Sequence, residues 1–264
     1  MSRIGAAFKQ RNDDGVAALV IYVTQGDPTP VASADIVVRA AEAGADVIEL
    51  GVPFSDPNAD GVVIQAAMQR ALRAGGGLAS ALDTVDEVRQ RGCEVPIVLF
   101  GYYNPIFVMG VDRFAEEAAA VGVDAALVVD VPLDELPELR EPLRRRFVQT
   151  VPLIAPTSGD DRIGRVRNTD APFVYYISMT GVTGSSFARA EDVGARVARV
   201  RELSGAPVAV GFGIATPEDA ARVGAVADGV VVGSAVVRRI VEAGEAAAAV
   251  AVGRFVGELK AALG

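Results

Sequence analysis

The sequence DVIELGVPFSDPNADGVVIQ, which spans residues 46–65, combines a short apolar run with several acidic side chains. The apolar residues at 47–52 predict a strand of a parallel sheet, because such strands are buried on both faces. Glu49 interrupts this run, and a carboxylate buried there loses its hydration unless another group pairs with it. Asp60 lies on the loop that follows the predicted strand. Both acids would therefore lie at the carboxyl end of the sheet, where ligands bind in parallel sheets and barrels.

The alternation of strand and helix continues along the whole chain. Apolar runs of strand length recur eight times, and segments with helical spacing separate them. This order predicts a single-domain (β/α)8 TIM barrel over residues 1–264, with an extra helix at residues 2–10. The alternative is an open doubly wound sheet. That fold normally has fewer strands and a glycine-rich dinucleotide motif, which this sequence lacks.

Apolar periodicity and turn residues give the predicted boundaries of these elements. The predicted strands are 17–24, 47–52, 96–100, 125–129, 148–154, 173–177, 207–210 and 230–232. The predicted helices after the first are 31–43, 63–74, 78–90, 111–120, 133–146, a short one ending near 167, 191–203, 217–223, 235–242 and 246–262. We expect residues 101–105 to form a loop.

The composition limits both the location and the chemistry of the chain. A net charge of −9 argues against general affinity for nucleic acid or anionic membranes, since both require a basic surface. Cys93 is the only cysteine, and no apolar run reaches the ~18 residues that span a bilayer. We therefore expect a cytoplasmic protein with no nucleic-acid or membrane partner.

The chain also lacks histidine, and its only lysines are Lys9 and Lys260. Imidazole acid–base catalysis and histidine-ligated metal sites are therefore excluded. Both lysines lie in predicted terminal helices, far in sequence from any strand end, which argues against a Schiff-base lysine. Proton transfer must then depend on Asp, Glu or Tyr side chains.

Glu49 and Asp60 are the candidate acid–base pair. Two carboxyl groups can divide acid and base roles when their environments separate their pKa values. Desolvation should raise the pKa of Glu49, whereas Asp60 should stay ionised and accept a hydrogen bond. In the simpler interpretation Glu49 is a structural acid held by a neighbouring loop, and Asp60 caps the next helix. Asp56 is better explained as a turn residue.

Glycines late in the chain form a candidate phosphate site. Their N–H groups can approach an anion closely, and a following helix directs its positive end toward the same point. Barrel enzymes frequently bind phosphate at the loops after strands seven and eight, although tight turns also require glycine. The candidate phosphate residues are Gly184, Gly211, Phe212, Gly213, Gly233 and Ser234.

Apolar and aromatic residues near the predicted strand ends form a candidate pocket for a flat aromatic group. For the aliphatic members, a place in the barrel core is the simpler interpretation. The residues are Tyr22, Phe100, Tyr102, Leu127, Val129, Leu153 and Tyr175.

Over its whole length the sequence resembles the tryptophan synthase alpha chain family. The matching segments are TQGDP at 24–28, ELGVPFSDP at 49–57, ADG at 59–61, YNP at 103–105, GVTG at 181–184, GFGI at 211–214 and GS at 233–234. The segment at 53–60 is the most specific of these. The glycine pairs alone would fit many phosphate-binding barrels.

The resemblance implies retro-aldol cleavage of indole-3-glycerol phosphate to indole and glyceraldehyde 3-phosphate. It implies that Glu49 is the general acid–base and that Asp60 binds the indole N–H and stabilises positive charge on the ring. Tyr175 would help to position Glu49 and the substrate. Thr183 would join the aromatic set in the indole pocket, and the phosphate would bind at Gly184, Gly213, Gly233 and Ser234.

The resemblance also implies a partner and no cofactor in this chain. Members dock on a beta chain, which uses pyridoxal phosphate, and the resulting assembly is an αββα heterotetramer. The loops at 53–60 and 178–187 would close over the substrate. The composition agrees with this chemistry, because a protonated indole ring can accept the electrons that a lysine or metal would otherwise take.

Three positions depart from the family pattern. Val62 and Ile21 stand where proline is usual, and Val129-Asp130 replaces a common Pro-Asp pair. The alternatives left open are a stand-alone indole-3-glycerol phosphate lyase and a catalytically silent barrel that activates a beta partner. Another phosphosugar isomerase or aldolase would need a lysine, a histidine or a metal site.

Overall fold

A parallel sheet forms the centre of the molecule in the computed structural model, which describes residues 2–177, 190–211 and 213–264. Its strands are β1 (Ala18–Thr24), β2 (Val47–Gly51), β3 (Ile97–Gly101), β4 (Ala125–Val128), β5 (Gln149–Thr150), β6 (Leu153–Ile154), β7 (Val174–Ile177), β8 (Val208–Gly211) and β9 (Gly229–Val232). They follow one another in the order β5-β4-β3-β2-β1-β9-β8-β7-β6, and every paired neighbour is parallel.

The two ends of this order, β5 and β6, are halves of one segment that is interrupted only by Val151 and Pro152. Val151 N–H donates to Ala126 O at 3.0 Å, and Pro152 O accepts from Tyr175 N–H at 3.0 Å. This segment therefore joins β4 on one side to β7 on the other and closes the predicted (β/α)8 barrel. The predicted single strand at 148–154 is divided here, because proline has no N–H to donate to a ladder.

Helices surround the sheet. In the described part of the chain they are α1 (Arg3–Asp13), α2 (Pro30–Glu42), α3 (Val62–Arg73), α4 (Leu78–Gln90), α5 (Tyr103–Met109), α6 (Val111–Val121), α7 (Leu136–Arg145), α8 (Asp160–Arg165) with a 3-10 turn at Val166–Asn168, α9 (Ala190–Ser204), α10 (Pro217–Gly224), α11 (Ser234–Ala243) and α12 (Glu245–Leu263). None of these described helices is both long enough and apolar enough to cross a membrane.

Three boundaries differ clearly from the sequence prediction: α1 extends to Asp13 instead of ending at residue 10, and the other two involve proline near a helix start. Most of the predicted loop at 101–105 lies in α5, because Pro105 falls in the first turn, where its missing N–H costs nothing. Gly110, with φ of 92°, separates α5 from α6. The predicted helix at 133–146 begins only at Leu136, with Pro137 in its first turn.

The N-terminal helix α1 fills one end of the barrel. Ile4 and Phe8 are fully buried, and both belong to the cluster of apolar side chains that fills the barrel lumen. The Phe8 ring stacks on Phe173, immediately before β7, with ring centres 4.9 Å apart. The lumen is thus packed shut at the end where the strands begin, so a ligand site has to form at their carboxyl ends.

Replacing Phe8 with alanine should destabilise the barrel, because it removes a buried ring and leaves a cavity against Phe173. Losses for such substitutions are about 3–5 kcal/mol. Denaturant titration of wild type, Phe8→Ala and Phe107→Ala measures the effect. Phe107 is 66% exposed, so its substitution should change the free energy of unfolding by less than about 0.5 kcal/mol. Equal losses in the two variants would contradict the packing role of α1.

Candidate active site

Glu49 occupies the middle of β2 and is 1% exposed. In the parallel register it lies level with Tyr22 on β1 and Val98 on β3, and both of those side chains pack in the lumen. Neither carboxyl oxygen of Glu49 has a hydrogen-bond partner among the described residues. The interpretation of Glu49 as a structural acid held by a loop is therefore not supported.

Because the Glu49 carboxyl is buried without a hydrogen-bond partner, its protonation state is set by burial. Burial disfavours the ionised form and raises the pKa of the Glu49 carboxyl from 4.5 to about 8. The group is thus mostly protonated at neutral pH, and its pKa lies close enough to neutrality for it to act as an acid and then as a base. Strongly perturbed acids of this kind are concentrated at functional sites.

Asp60, on the loop between β2 and α3, has one specific partner. Tyr102 Oη donates to Asp60 Oδ2 at 2.6 Å, and Ala59 N–H donates to the same Tyr102 oxygen at 3.0 Å. Burial raises the pKa of Asp60, and the hydrogen bond from Tyr102 opposes that shift. Asp60 accepts a hydrogen bond, as predicted. Its pKa is also raised by burial, which the sequence analysis did not anticipate.

The loop that carries Asp60 is held by residues that the sequence analysis did not single out for this purpose. Gln65, in the first turn of α3, donates from Nε2 to Asp60 O at 2.8 Å and to Pro57 O at 3.4 Å. The Phe54 ring stacks on Tyr102 with a centre separation of 4.9 Å. Gln65 follows three apolar residues, Val62 to Ile64, and a polar residue in that place has no unique structural meaning.

The loop after β1 is anchored to the same helix. Asp27, 1% exposed, accepts from Arg70 Nε at 2.9 Å and from Arg70 Nη2 at 2.7 Å. This paired contact joins the TQGDP segment to α3, whose first residue is Val62. Val62 occupies the first helical position, which proline also fits, and it is 79% exposed. Valine at this position is therefore compatible with the same helix start.

Two tyrosines pack their hydroxyl groups against glycines on neighbouring strands. A Cβ atom at Gly51 would lie 2.1 Å from Tyr22 Oη, and one at Gly211 would lie 2.1 Å from Tyr175 Oη. Burial is the main cause that raises the pKa of both hydroxyls, and both carboxylates, Glu49 and Asp60, raise it further. Gly211, a predicted phosphate residue, therefore also provides the space that Tyr175 occupies.

Tyr175 does not hold Glu49 by a hydrogen bond, since both oxygens of Glu49 lack a partner in the described structure. The effect of Glu49 on the pKa of Tyr175 shows that the two groups are nevertheless near each other. Positioning of Glu49 by Tyr175 would therefore have to be steric in this state of the protein.

The aromatic set is brought together in the lumen. The rings of Tyr22 and Phe100 meet edge to face at 5.4 Å, and those of Phe100 and Tyr175 lie 6.4 Å apart. Seven of the predicted pocket residues meet in one apolar cluster: Tyr22, Phe100, Tyr102 and Leu127 are its buried members, and the partly buried Val129, Leu153 and Tyr175 pack against it. The eighth, Thr183, lies outside the described residues.

Part of the candidate phosphate site is described in the structure, and Gly233 of that site lies beside the aromatic cluster. Gly233 directly precedes α11, which begins at Ser234, and a Cβ at Gly233 would lie 3.5 Å from the Cβ of Tyr22. The first N–H groups of such a helix have no intrahelical acceptor and can bind an anion. Gly213 has φ of 76° and open space where a Cβ would project. Gly184 and Phe212 fall outside the described residues.

Fold and site together define a (β/α)8-barrel enzyme whose lumen holds a buried carboxyl group, that of Glu49, among aromatic side chains. A sequence model of the family described as "Tryptophan synthase alpha chain" matches residues 8–263. The chain belongs to the tryptophan synthase alpha chain family.

Similar proteins support this assignment over the full length. The chain is 47% identical to the tryptophan synthase alpha chain of Geobacter sulfurreducens, with 100% of both chains covered. It is 46% identical to that of Acidiphilium cryptum over 91% of this chain and 87% of the relative. The crystal structure of the subunit from Legionella pneumophila superposes with a TM-score of 0.91 at 34% identity, covering 100% of this chain and 98% of that one. For tryptophan synthase of M. tuberculosis in its aminoacrylate-bound form, the TM-score is 0.88 at 31% identity, with 100% of both chains covered.

The raised pKa of Glu49 predicts how stability changes with pH. The unfolded chain releases this proton near pH 4.5 and the folded protein near pH 8, so the native state binds more protons between those values. Stability therefore falls as pH rises through that window. Glu49→Gln removes the titrating group, and its stability relative to wild type should rise by on the order of 4 kcal/mol from pH 5 to pH 8.

Urea titrations of both proteins at pH 5 and pH 8 measure this difference. Asp60 and every other titrating group are common to the two proteins, so their contributions cancel. A difference between the two proteins that does not change with pH would show that Glu49 titrates like an exposed glutamate.

Proposed function

We propose that this chain cleaves indole-3-glycerol phosphate to indole and glyceraldehyde 3-phosphate as the alpha subunit of tryptophan synthase, in L-tryptophan biosynthesis. The observation that carries the proposal is the buried, unpartnered carboxyl of Glu49 beside a cluster of aromatic side chains. A group that is neutral at pH 7 can deliver a proton to a carbon atom, which an ordinary ionised glutamate cannot do. Membership of the family supports the same reaction.

Glu49 begins the reaction as the acid. Its proton adds to the indole carbon that bears the glycerol phosphate side chain, and the ring becomes a cation with its positive charge at the nitrogen. Asp60 accepts a hydrogen bond from the ring N–H and stabilises that charge. The bond from Tyr102 favours the charged carboxylate of Asp60 and so opposes the rise in its pKa that burial causes.

Glu49 then acts as the base. It takes the proton from the hydroxyl group on the adjacent side-chain carbon, and a carbonyl forms there as the carbon–carbon bond breaks. The bonding electrons return to the ring, restore the indole double bond and neutralise the nitrogen. The ring itself is thus the electron acceptor, so the two carboxyl groups suffice and this subunit uses no cofactor.

The phosphate would bind at the N-terminal end of α11, held by Gly184, Gly213, Gly233 and Ser234. The charge of the helix dipole and the small size of the glycines favour an anion there. Gly211 would contribute chiefly by admitting Tyr175, whose ring, with Tyr22 and Phe100, would enclose the indole. Phe212 and Thr183 complete the proposed contacts.

A beta chain would dock at the catalytic end, in an αββα heterotetramer that works in the cytoplasm, with each alpha chain forming a single domain over residues 1–264. Pyridoxal phosphate would belong to the beta chain. Exposed apolar side chains support this surface: Val62 is 79% exposed, and Phe107 and Val108 on α5 are 66% and 76% exposed. All three lie on helices that follow the carboxyl ends of neighbouring strands, β2 for Val62 and β3 for Phe107 and Val108.

Loss of the proton carrier should nearly abolish turnover. Glu49→Gln is expected to lower kcat for indole release by at least ~100-fold with little change in substrate affinity, because general acid–base groups contribute factors of that size. Glu258→Gln, an exposed glutamate on α12, serves as the control and should match wild type. Indole release is followed with and without a tryptophan synthase beta chain. Equal rates for the two variants would reject the mechanism.

The support that Tyr102 gives to Asp60 can be tested separately. Tyr102→Phe removes a hydrogen bond to a charged group, which is worth roughly a tenfold to hundredfold factor in rate if it acts in the transition state. We expect kcat to fall and KM to change little. Tyr103→Phe is the matched control, because Tyr103 bonds Asp130 through its backbone N–H. A Tyr102→Phe enzyme with unchanged kcat would exclude this role.

A further inference from the structure

Gln65 lies in the first turn of α3, directly after the loop that carries Asp60. Side chains on a helix lean toward its N-terminal end, so the Gln65 amide reaches back over that loop. Its Nε2 donates to two backbone carbonyls, Asp60 O at 2.8 Å and Pro57 O at 3.4 Å. Both partners are acceptors, so only the NH2 half of the amide can bond them.

The two carbonyls belong to the two ends of one tight turn. Asp60 N–H donates to Pro57 O at 3.1 Å, which closes a four-residue turn over 57–60. Gln65 therefore bonds the first and the last residue of this turn through a single nitrogen atom. Pro57 is buried, whereas Asn58 and Ala59 in the middle of the turn are exposed. Holding the two ends limits the movement of the exposed residues between them.

The other support of this turn acts on the Asp60 carboxylate rather than on the backbone carbonyls. Tyr102 Oη accepts from Ala59 N–H at 3.0 Å and donates to Asp60 Oδ2 at 2.6 Å. In the described part of the chain, Gln65 and Tyr102 provide the side-chain hydrogen bonds to residues 57–60 from outside the loop. Hydrogen bonds weaken steeply when distance and angle depart from the optimum. The bond from Tyr102 to the carboxylate therefore depends on where the backbone of Asp60 is held.

Helix α3 gives the Gln65 side chain a fixed base. Ile64, Ala67 and Met68 of this helix are buried and belong to the apolar cluster in the lumen. Arg70, further along the same helix, is bonded to the loop after β1. A group on such an anchored helix positions its partner more precisely than a group on another loop would.

We propose that Gln65 is a positioning residue for the lyase reaction, which holds the backbone of Asp60 where its carboxylate meets both Tyr102 and the ring N–H of the substrate. This role rests on the proposed function, in which Asp60 stabilises the ring cation. Gln65 acts through Asp60 and not on the substrate. Misplacement of a functional group by about 1 Å can cost about a hundredfold in rate.

The titration of Asp60 tests the positioning without turnover. Carbon-13 NMR of protein labelled at the aspartate carboxyl carbons follows each group with pH, and the resonance absent from Asp60→Asn identifies Asp60. Gln65→Met removes both bonds and keeps a side chain of similar length. Its matched control is Gln69→Met, at an exposed glutamine one turn further along α3.

The pKa of Asp60 should move upward in Gln65→Met, as in Tyr102→Phe, because the bond from Tyr102 favours the ionised form. It should stay at its wild-type value in Gln69→Met. Circular dichroism checks that each variant is folded.

Turnover of indole-3-glycerol phosphate, with and without a beta chain, gives the second readout. Gln65→Met should lower kcat about tenfold or more with little change in KM, and Gln69→Met should match wild type. Gln65→Glu introduces a carboxyl group that donates only when it is protonated. Its kcat relative to wild type should therefore rise as pH falls from about 8 to about 5. The titration of Glu49 is common to both proteins and cancels in this ratio.

The outcomes separate the role of Gln65 from the proposed function. If wild type turns over and Gln65→Met has the same kcat, or if the pKa of Asp60 is the same in both, the role of Gln65 is overturned and the lyase function stands. If wild type shows no turnover under either condition, the proposed function fails, and the role of Gln65 in it fails too, whatever the Asp60 titration shows.

Discussion

The burial of one carboxyl group without a partner is the constraint on which the candidate active site depends. Glu49 sits in the middle of β2, and the neighbouring strands present Tyr22 and Val98 at the same level of the lumen. Nothing described there offers it a hydrogen bond, so desolvation alone sets its pKa. A buried carboxyl group without a partner destabilises the folded state when it is ionised. It persists because strands hydrogen-bonded on both sides hold the backbone of β2 in place.

The polar groups around Glu49 differ from it in their contacts. Asp60 has what Glu49 lacks, a hydrogen bond from Tyr102 that favours its ionised form. The hydroxyls of Tyr22 and Tyr175 are accommodated by glycines on adjacent strands rather than by bonds to the acids. Burial favours the protonated form of Glu49, whereas a hydrogen bond favours the ionised form of Asp60, although only one loop separates the two acids in sequence. This difference is what a reaction through a protonated ring requires.

The sequence predicted the barrel and the position of Glu49 well, because both follow from local patterns of apolar residues. The family assignment is confirmed as well. The break at Pro152, the helix at 103–109 and the support of Asp60 by Tyr102 and Gln65 were not predicted. Those features depend on which strands and loops meet in space, and a single sequence does not specify that.

The role of Glu49 as proton carrier is tested most directly by titrating Glu49 itself. Carbon-13 NMR of protein labelled at the glutamate carboxyl carbons follows each group with pH, and the resonance absent from Glu49→Gln identifies the one of interest. A midpoint near pH 8 is expected for that resonance, because burial disfavours the ionised carboxylate. A midpoint near 4.5, the ordinary value for glutamate, would mean that the carboxyl is ionised at neutral pH and has no proton to give.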